Sequence, residues 1–123
     1  MRLSFACAIE RCSPLLSSFV RTILSLRLVD REGYFEVPVD VAEVPDYLSV
    51  IARPMDFGTL MSRVESAEII TLEQFWDNCK LIWENAMIYN KMDTIYYKAA
   101  QRIKNAAEES YEKVLAAILV SPF

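Results

Sequence analysis

The sequence predicts an all-α protein, four helices with one long loop between the first and the second, and three observations predict it. Glycine is scarce, two residues in 123, which leaves few places for the tight hairpins of a sheet protein. Hydrophobic residues make up 54% of the chain, which suits a single core at this length and argues against disorder. Apolar residues recur at steps of three and four in four separate stretches, and no stretch reads clearly as a strand.

Residues 1–12 are read as an N-terminal extension and 13–121 as the helical module. The start, Met1 to Ile9, faintly suggests a signal peptide, but its apolar run is short and Glu10 and Arg11 interrupt it. No apolar stretch approaches the length needed to span a bilayer, so the chain reads as soluble. Ser13 and Pro14 form an N-cap and first helical position, followed by Leu15, Leu16, Phe19, Ile23, Leu26 and Val29 on one face. This helix should end near Asp30, before Gly33.

Gly33, Pro38, Pro45 and Pro54 exclude a continuous helix over 31–55. The segment still carries Tyr34, Phe35, Val37, Val39, Val41, Val44, Tyr47 and Ile51. A long loop this apolar should pack against something, and such loops are usually functional. A short helical turn fits at Asp46–Ile51. Asp56 then caps a helix carrying Phe57, Leu60, Met61 and Val64. Thr71 to Gln74 matches a capping box, opening a helix whose seam is Phe75, Cys79, Ile82, Ala86 and Tyr89. Trp76, Trp83, Met87 and Asn90 form the adjacent face, with both tryptophans and Met55 and Met87 read as core. After a tight connection at Lys91–Thr94, the last helix runs from about Ile95 to Leu119. Its stripe is Tyr96, Ala100, Ile103, Ala107, Tyr111, Val114 and Ile118.

The net charge of −4 argues against nucleic acid as the main partner, because phosphate binding needs clustered Lys and Arg. Between Asp30 and Asp46, six acids (Asp30, Glu32, Glu36, Asp40, Glu43, Asp46) meet one base, Arg31, so this window accounts for all of the negative balance. It reads either as a solvated loop or as a rim that attracts a basic peptide. Cys7, Cys12 and Cys79 have no metal-like spacing, and with no histidine a zinc site is not expected. Cys79 falls in the apolar seam as a small core residue, and the cysteine usage suits a reducing intracellular compartment. Without histidine, a Gly-rich phosphate loop or a recognisable carboxylate pair, no catalytic centre and no cofactor are expected.

Two segments carry chemistry beyond packing. One runs from Pro38-Val39-Asp40 through Val44-Pro45-Asp46-Tyr47 to Pro54-Met55-Asp56; the other is Asn85-Ala86-Met87-Ile88-Tyr89-Asn90. In this order and at these spacings, across roughly residues 13–119, they resemble the bromodomain family. The resemblance implies a left-handed four-helix bundle whose long first loop and short last loop enclose a pocket for acetylated lysine. It implies that Asn90 donates to the acetyl carbonyl and that Tyr47 reaches the same oxygen through a water. Phe35, Val39 and Val44 would form the wall, Tyr89 would precede the anchor, and Tyr96 would be the gatekeeper, with Ile95 the alternative. It also implies acetylated protein tails, histones above all, as partners, with no direct nucleic acid and no membrane, and a nuclear place inside a larger chromatin-associated complex. The chain departs from the family at Gly33-Tyr34-Phe35, where a Trp-Pro-Phe-like shelf is common. Asn78 and Ile69, where an aspartate and an aromatic are common, should be structural.

The chemistry stands beside the resemblance. Acetylation removes the lysine charge and leaves an amide on an apolar stem, so a selective site is an apolar slot with one neutral donor at its floor. An ammonium entering such a slot without a counter-charge is penalised by at least about several kcal/mol, whereas the amide hydrogen bond nets about 0.5–1.5 kcal/mol. An asparagine at a helix end can equally be a plain cap. The competing function is a helical interaction scaffold with a diverged pocket, which would bind acetylated and unmodified peptides equally.

Overall fold

The structure is a computed structural model that describes residues 14–120, with side chains through residue 117. Ser13, Cys7, Cys12, the 1–12 extension and the side chain of Ile118 lie outside the described residues. Among those described there are five helices and no strand: α1 Pro14–Val29, α2 Tyr47–Val50, α3 Phe57–Glu65, α4 Leu72–Tyr89 and α5 Ile95–Val120. The four longer helices are the predicted ones. α2 is the short turn expected after Pro45, so the chain folds as four bundle helices plus one turn carried on the loop. Contacts run α1 to α3, α3 to α4, α4 to α5 and α5 to α1, closing a ring around one core.

That core is built from the predicted stripes. Phe19, Ile23 and Leu26 of α1 meet Phe57, Leu60 and Val64 of α3, Phe75, Cys79, Ile82 and Ala86 of α4, and Ala100, Ile103 and Ala107 of α5. Phe19 and Phe75 stack with centroids 4.4 Å apart and planes 3° from parallel. Trp83 is buried, and Trp76 lies half-buried against it and against Tyr111, so both tryptophans serve packing. Ile69 is buried in the core, and Asn78 bonds to Arg63 and to the Gln74 carbonyl, both structural as expected. Burial pushes the Cys79 thiol up to about 12, so it stays protonated and inert.

The stripes depart from expectation at their ends. Leu15, Leu16 and Val29 are only partly buried, while Ser17 and Val20, absent from the predicted face, are buried. Tyr96 is exposed although it continues the α5 stripe, and its ring packs on Tyr34 of the loop. The long loop, expected to pack against something, does so over part of its length. Tyr47 and Ile51 are buried and Phe35 is half-buried, but Val37, Val39 and Val41 are exposed, since the middle of the loop arches over a cavity.

Local chemistry sets the helix ends. The Asp56 carboxylate accepts from the Thr59 N–H at 2.9 Å and the Thr59 hydroxyl at 2.7 Å. Thr71 and Gln74 make the reciprocal capping box. At the end of α3 the Glu68 N–H donates to the Arg63 carbonyl and the Ala67 N–H to the Val64 carbonyl. This is the Schellman pattern, and it holds Ala67 at φ 63°, a left-handed position normally given to glycine. Ala67→Gly is therefore expected to raise stability by about 0.5–1 kcal/mol, read as a higher urea midpoint with an unchanged slope.

Both ends of the loop are tied down. The buried Asp30 carboxylate accepts the Tyr34 N–H at 3.0 Å and the Phe35 N–H at 2.8 Å. The Phe35 and Glu36 carbonyls accept the Phe57 and Gly58 N–H groups of α3, at 2.8 and 3.0 Å. Gly58 has to be small here, because a Cβ would sit 3.0 Å from the Glu36 oxygen and 3.2 Å from an Asp56 carboxylate oxygen. Arg27 pairs with Glu36 through two nitrogens, and this hydrogen-bonded pairing lowers the Glu36 pKa and raises that of Arg27. At the far end, buried Asn85 of α4 donates to the Arg53 carbonyl at 2.8 Å.

Candidate functional site

A cavity of about 170 Å³ opens where the arched loop meets the end of α4 and the start of α5. Its deep wall is Ile82, Ala86 and Tyr47, all buried. Its mouth is Val37, Val39 and Tyr96, which line it while staying 65%, 39% and 45% exposed. Between them lie Phe35, Val44, Met55, Tyr34, Tyr89 and Asn90. No lining residue carries a formal charge at neutral pH, so the polar groups on the wall are the Asn90 amide and tyrosine hydroxyls. Such a wall admits a neutral group and leaves a charged one uncompensated.

All seven residues singled out from the sequence (Asn90, Tyr47, Phe35, Val39, Val44, Tyr89 and Tyr96) line this one cavity. Ile95, the alternative to Tyr96, is exposed and off the wall. Four lining residues escaped the sequence reading of the site, Val37, Met55, Ile82 and Ala86, and Tyr34 enters that reading only at the family's shelf position. A signal existed for two of them, since Ala86 and Ile82 precede Asn90 by one and two helical steps of four on the same face. Met55 was read as core; it does pack on the core, but it also faces the cavity.

Asn90 is the C-cap of α4, with extended backbone at φ −102° and ψ 148°. Its backbone N–H and side-chain Nδ2 both donate to the Ala86 carbonyl, at 3.0 and 2.9 Å. The cap therefore uses one amide hydrogen and orients the side chain; the second amide hydrogen and the amide oxygen have no partner among the described residues. Capping and ligand binding are thus compatible in one side chain. Burial raises the Tyr47 phenol above its ordinary range, keeping it a neutral donor. Tyr89 donates to Asp46 Oδ1 at 2.7 Å, and that bond raises its pKa; its ring meets Tyr47 edge-on with centroids 5.0 Å apart. Tyr34 and Tyr96 meet edge-on at 4.8 Å, joining the loop to α5.

The acidic window is not a uniformly solvated run. Asp30 is buried on backbone amides, Glu36 pairs with Arg27, and Glu32 lies 3.8 Å from Arg102. Asp46 holds Tyr89 and Asp40 accepts the Ala42 N–H, so the Glu43 carboxylate alone of the six lacks a partner among the described residues. Among those residues no group of three or more His, Cys, Asp or Glu could hold a metal ion. No helix among them is long and apolar enough to cross a membrane.

The Bromodomain family model matches residues 20–102. The chain is similar to Bromodomain-containing protein 9 of Mus musculus, 39% identical over 107 residues, 87% of this chain and 17% of that protein. It is 44% identical over 87 residues to Bromodomain and PHD finger-containing protein 3 of Mus musculus, 70% of this chain and 7% of that one. The chain thus spans a small part of the curated relatives it matches. Among solved structures it is similar to the bromodomain of human BAZ1A, with a TM-score of 0.75 and 26% identity, covering 80% of this chain and 92% of that one. A hypothetical bromodomain from Trypanosoma brucei, solved in complex with bromosporine, shares the fold with a TM-score of 0.76 and 23% identity, over 80% of this chain and 86% of that one.

Proposed function

The chain belongs to the bromodomain family, and from that premise we propose that it reads acetylated lysine in basic protein tails, histones above all, with Asn90 as anchor. Bromodomains are non-catalytic modules that generally bind acetylated lysine. The observation that carries the reading is the uncharged wall of the cavity, with a partly unpaired amide on it.

In this reading the second Asn90 amide hydrogen donates to the acetyl carbonyl, and Tyr47 reaches the same oxygen through a water. Phe35, Val39 and Val44 enclose the acetyl methyl, Tyr89 buttresses Tyr47, and Tyr96 flanks the mouth as gatekeeper. Residues 13–121 form the reading module and 1–12 an extension outside it. Discrimination rests on refusing the ammonium more than on gripping the amide, so affinity for one mark is modest. A reader of that strength suits a nuclear assembly in which several contacts act together. Of the six acids in the 30–46 window only Glu32 and Glu36 face a cation among the described residues, so the rim keeps most of its negative charge to steer a basic tail.

The test is a titration of matched basic peptides that differ only in acetylation of one lysine. Acetylation should strengthen binding by about a hundredfold or more, the least that a penalty of several kcal/mol on the ammonium implies. Equal affinities would overturn the proposal and favour a scaffold that binds through its surface.

A further inference from the structure

Asp46 occupies the N-cap of α2, the position where an aspartate ordinarily turns its carboxylate onto the amides of the next turn. Here it makes no such bond. Its Oδ1 instead accepts the Tyr89 hydroxyl of α4 at 2.7 Å. Asp46 immediately precedes Tyr47, and Tyr89 immediately precedes Asn90, so this bond joins the neighbours of the two groups aimed at one ligand oxygen. The Tyr47 and Tyr89 rings make edge contact beside it. Asp46 does not itself line the cavity.

We propose that Asp46 is a positioning residue: by taking the Tyr89 hydroxyl rather than capping its own helix, it sets the placement of Tyr47 against Asn90. This rests on the reading of the cavity as an acetyl-lysine site. The carboxylate is the right group because it accepts from a phenol more strongly than a neutral oxygen does and needs no proton of its own. α2 is only one turn long and cannot hold its own orientation, so a bond to the rigid end of α4 supplies what the turn lacks.

A double-mutant cycle tests this, using a synthetic basic peptide with one acetyl-lysine and the full chain. Asp46→Ala and Tyr89→Phe should each weaken binding about fivefold, and the double variant no more than the worse single one. Asp46→Asn, which keeps an acceptor oxygen, should stay within about twofold of the native protein. A second arm reads the Asn90 side-chain amide by NMR in the ligand-free protein. Asp46→Ala should move that signal, Asp46→Asn should leave it nearly in place, and the double variant should match Tyr89→Phe alone. Losses that add in the double variant, or an Asn90 signal unmoved by Asp46→Ala, would overturn the latch. If the native protein fails to prefer the acetylated peptide, the acetyl-lysine reading falls, and the ligand-free arm still decides whether Asp46 places Asn90.

Discussion

Asn90→Phe is expected to remove acetyl-lysine binding, a loss of about a hundredfold or more, while the protein stays folded. Two costs combine in the complex. The acetyl carbonyl loses its direct donor and keeps only the water-mediated contact from Tyr47, about 0.5–1.5 kcal/mol, and the new ring overfills a cavity of about 170 Å³, at about 1–3 kcal/mol. Together these come to about 1.5–4.5 kcal/mol, a range whose middle lies above the 2.7 kcal/mol or so that corresponds to a hundredfold. In the free protein the variant gives up only the Nδ2 bond to the Ala86 carbonyl at a half-exposed helix end. That loss of about 0.5–1 kcal/mol should lower the melting temperature by about 2–5 °C. Peptide titration and a thermal melt on the same sample separate the two effects. A variant that still binds normally would show that residue 90 is a cap and nothing more.

Phe19→Ala should have the opposite profile, with a large loss of stability and little change at the cavity. Phe19 is 1% exposed and lies flat against Phe75 at 4.4 Å, joining α1 to α4. Truncating it removes a full ring from the core and leaves a void between helices that cannot close, at a cost of about 3–5 kcal/mol. Against the typical 5–15 kcal/mol of a domain, that leaves the variant marginal. The urea midpoint should fall steeply with no change in slope. The fraction that remains folded should bind the acetylated peptide normally, because Phe19 is absent from the cavity wall. A cost near 1 kcal/mol would mean that the stack contributes far less than its burial implies.

What could be read from the sequence was what acts over three or four residues. The capping box at Thr71 and Gln74, the Asp56 cap and the seam through Phe75, Cys79, Ile82 and Ala86 follow from spacing alone, and all stand in the structure. The bromodomain motifs drew attention to seven residues that the fold gathers around one cavity. Pairings between distant segments were not legible. Nothing local says that Arg27 takes Glu36, that Asn85 takes the Arg53 carbonyl, or that Asp46 ignores its own helix for Tyr89. The same blindness left the acids of 30–46 open between a solvated loop and a charged rim. It also left open where Val37, Val39 and Val41 would sit, because periodicity and composition cannot tell a residue over a core from one over a void.

The long loop works as a span resting on two abutments. Asp30, Glu36 and the Phe57–Gly58 amides form one footing, and Asn85 with the Arg53 carbonyl forms the other. The deck between them, with Val37, Val39 and Val41 exposed and the first two at the cavity mouth, carries little of the weight of the bundle. Side chains there can be exchanged to suit a different peptide while the footings keep the span at its height, so ligand preference and foldability can drift independently in this chain.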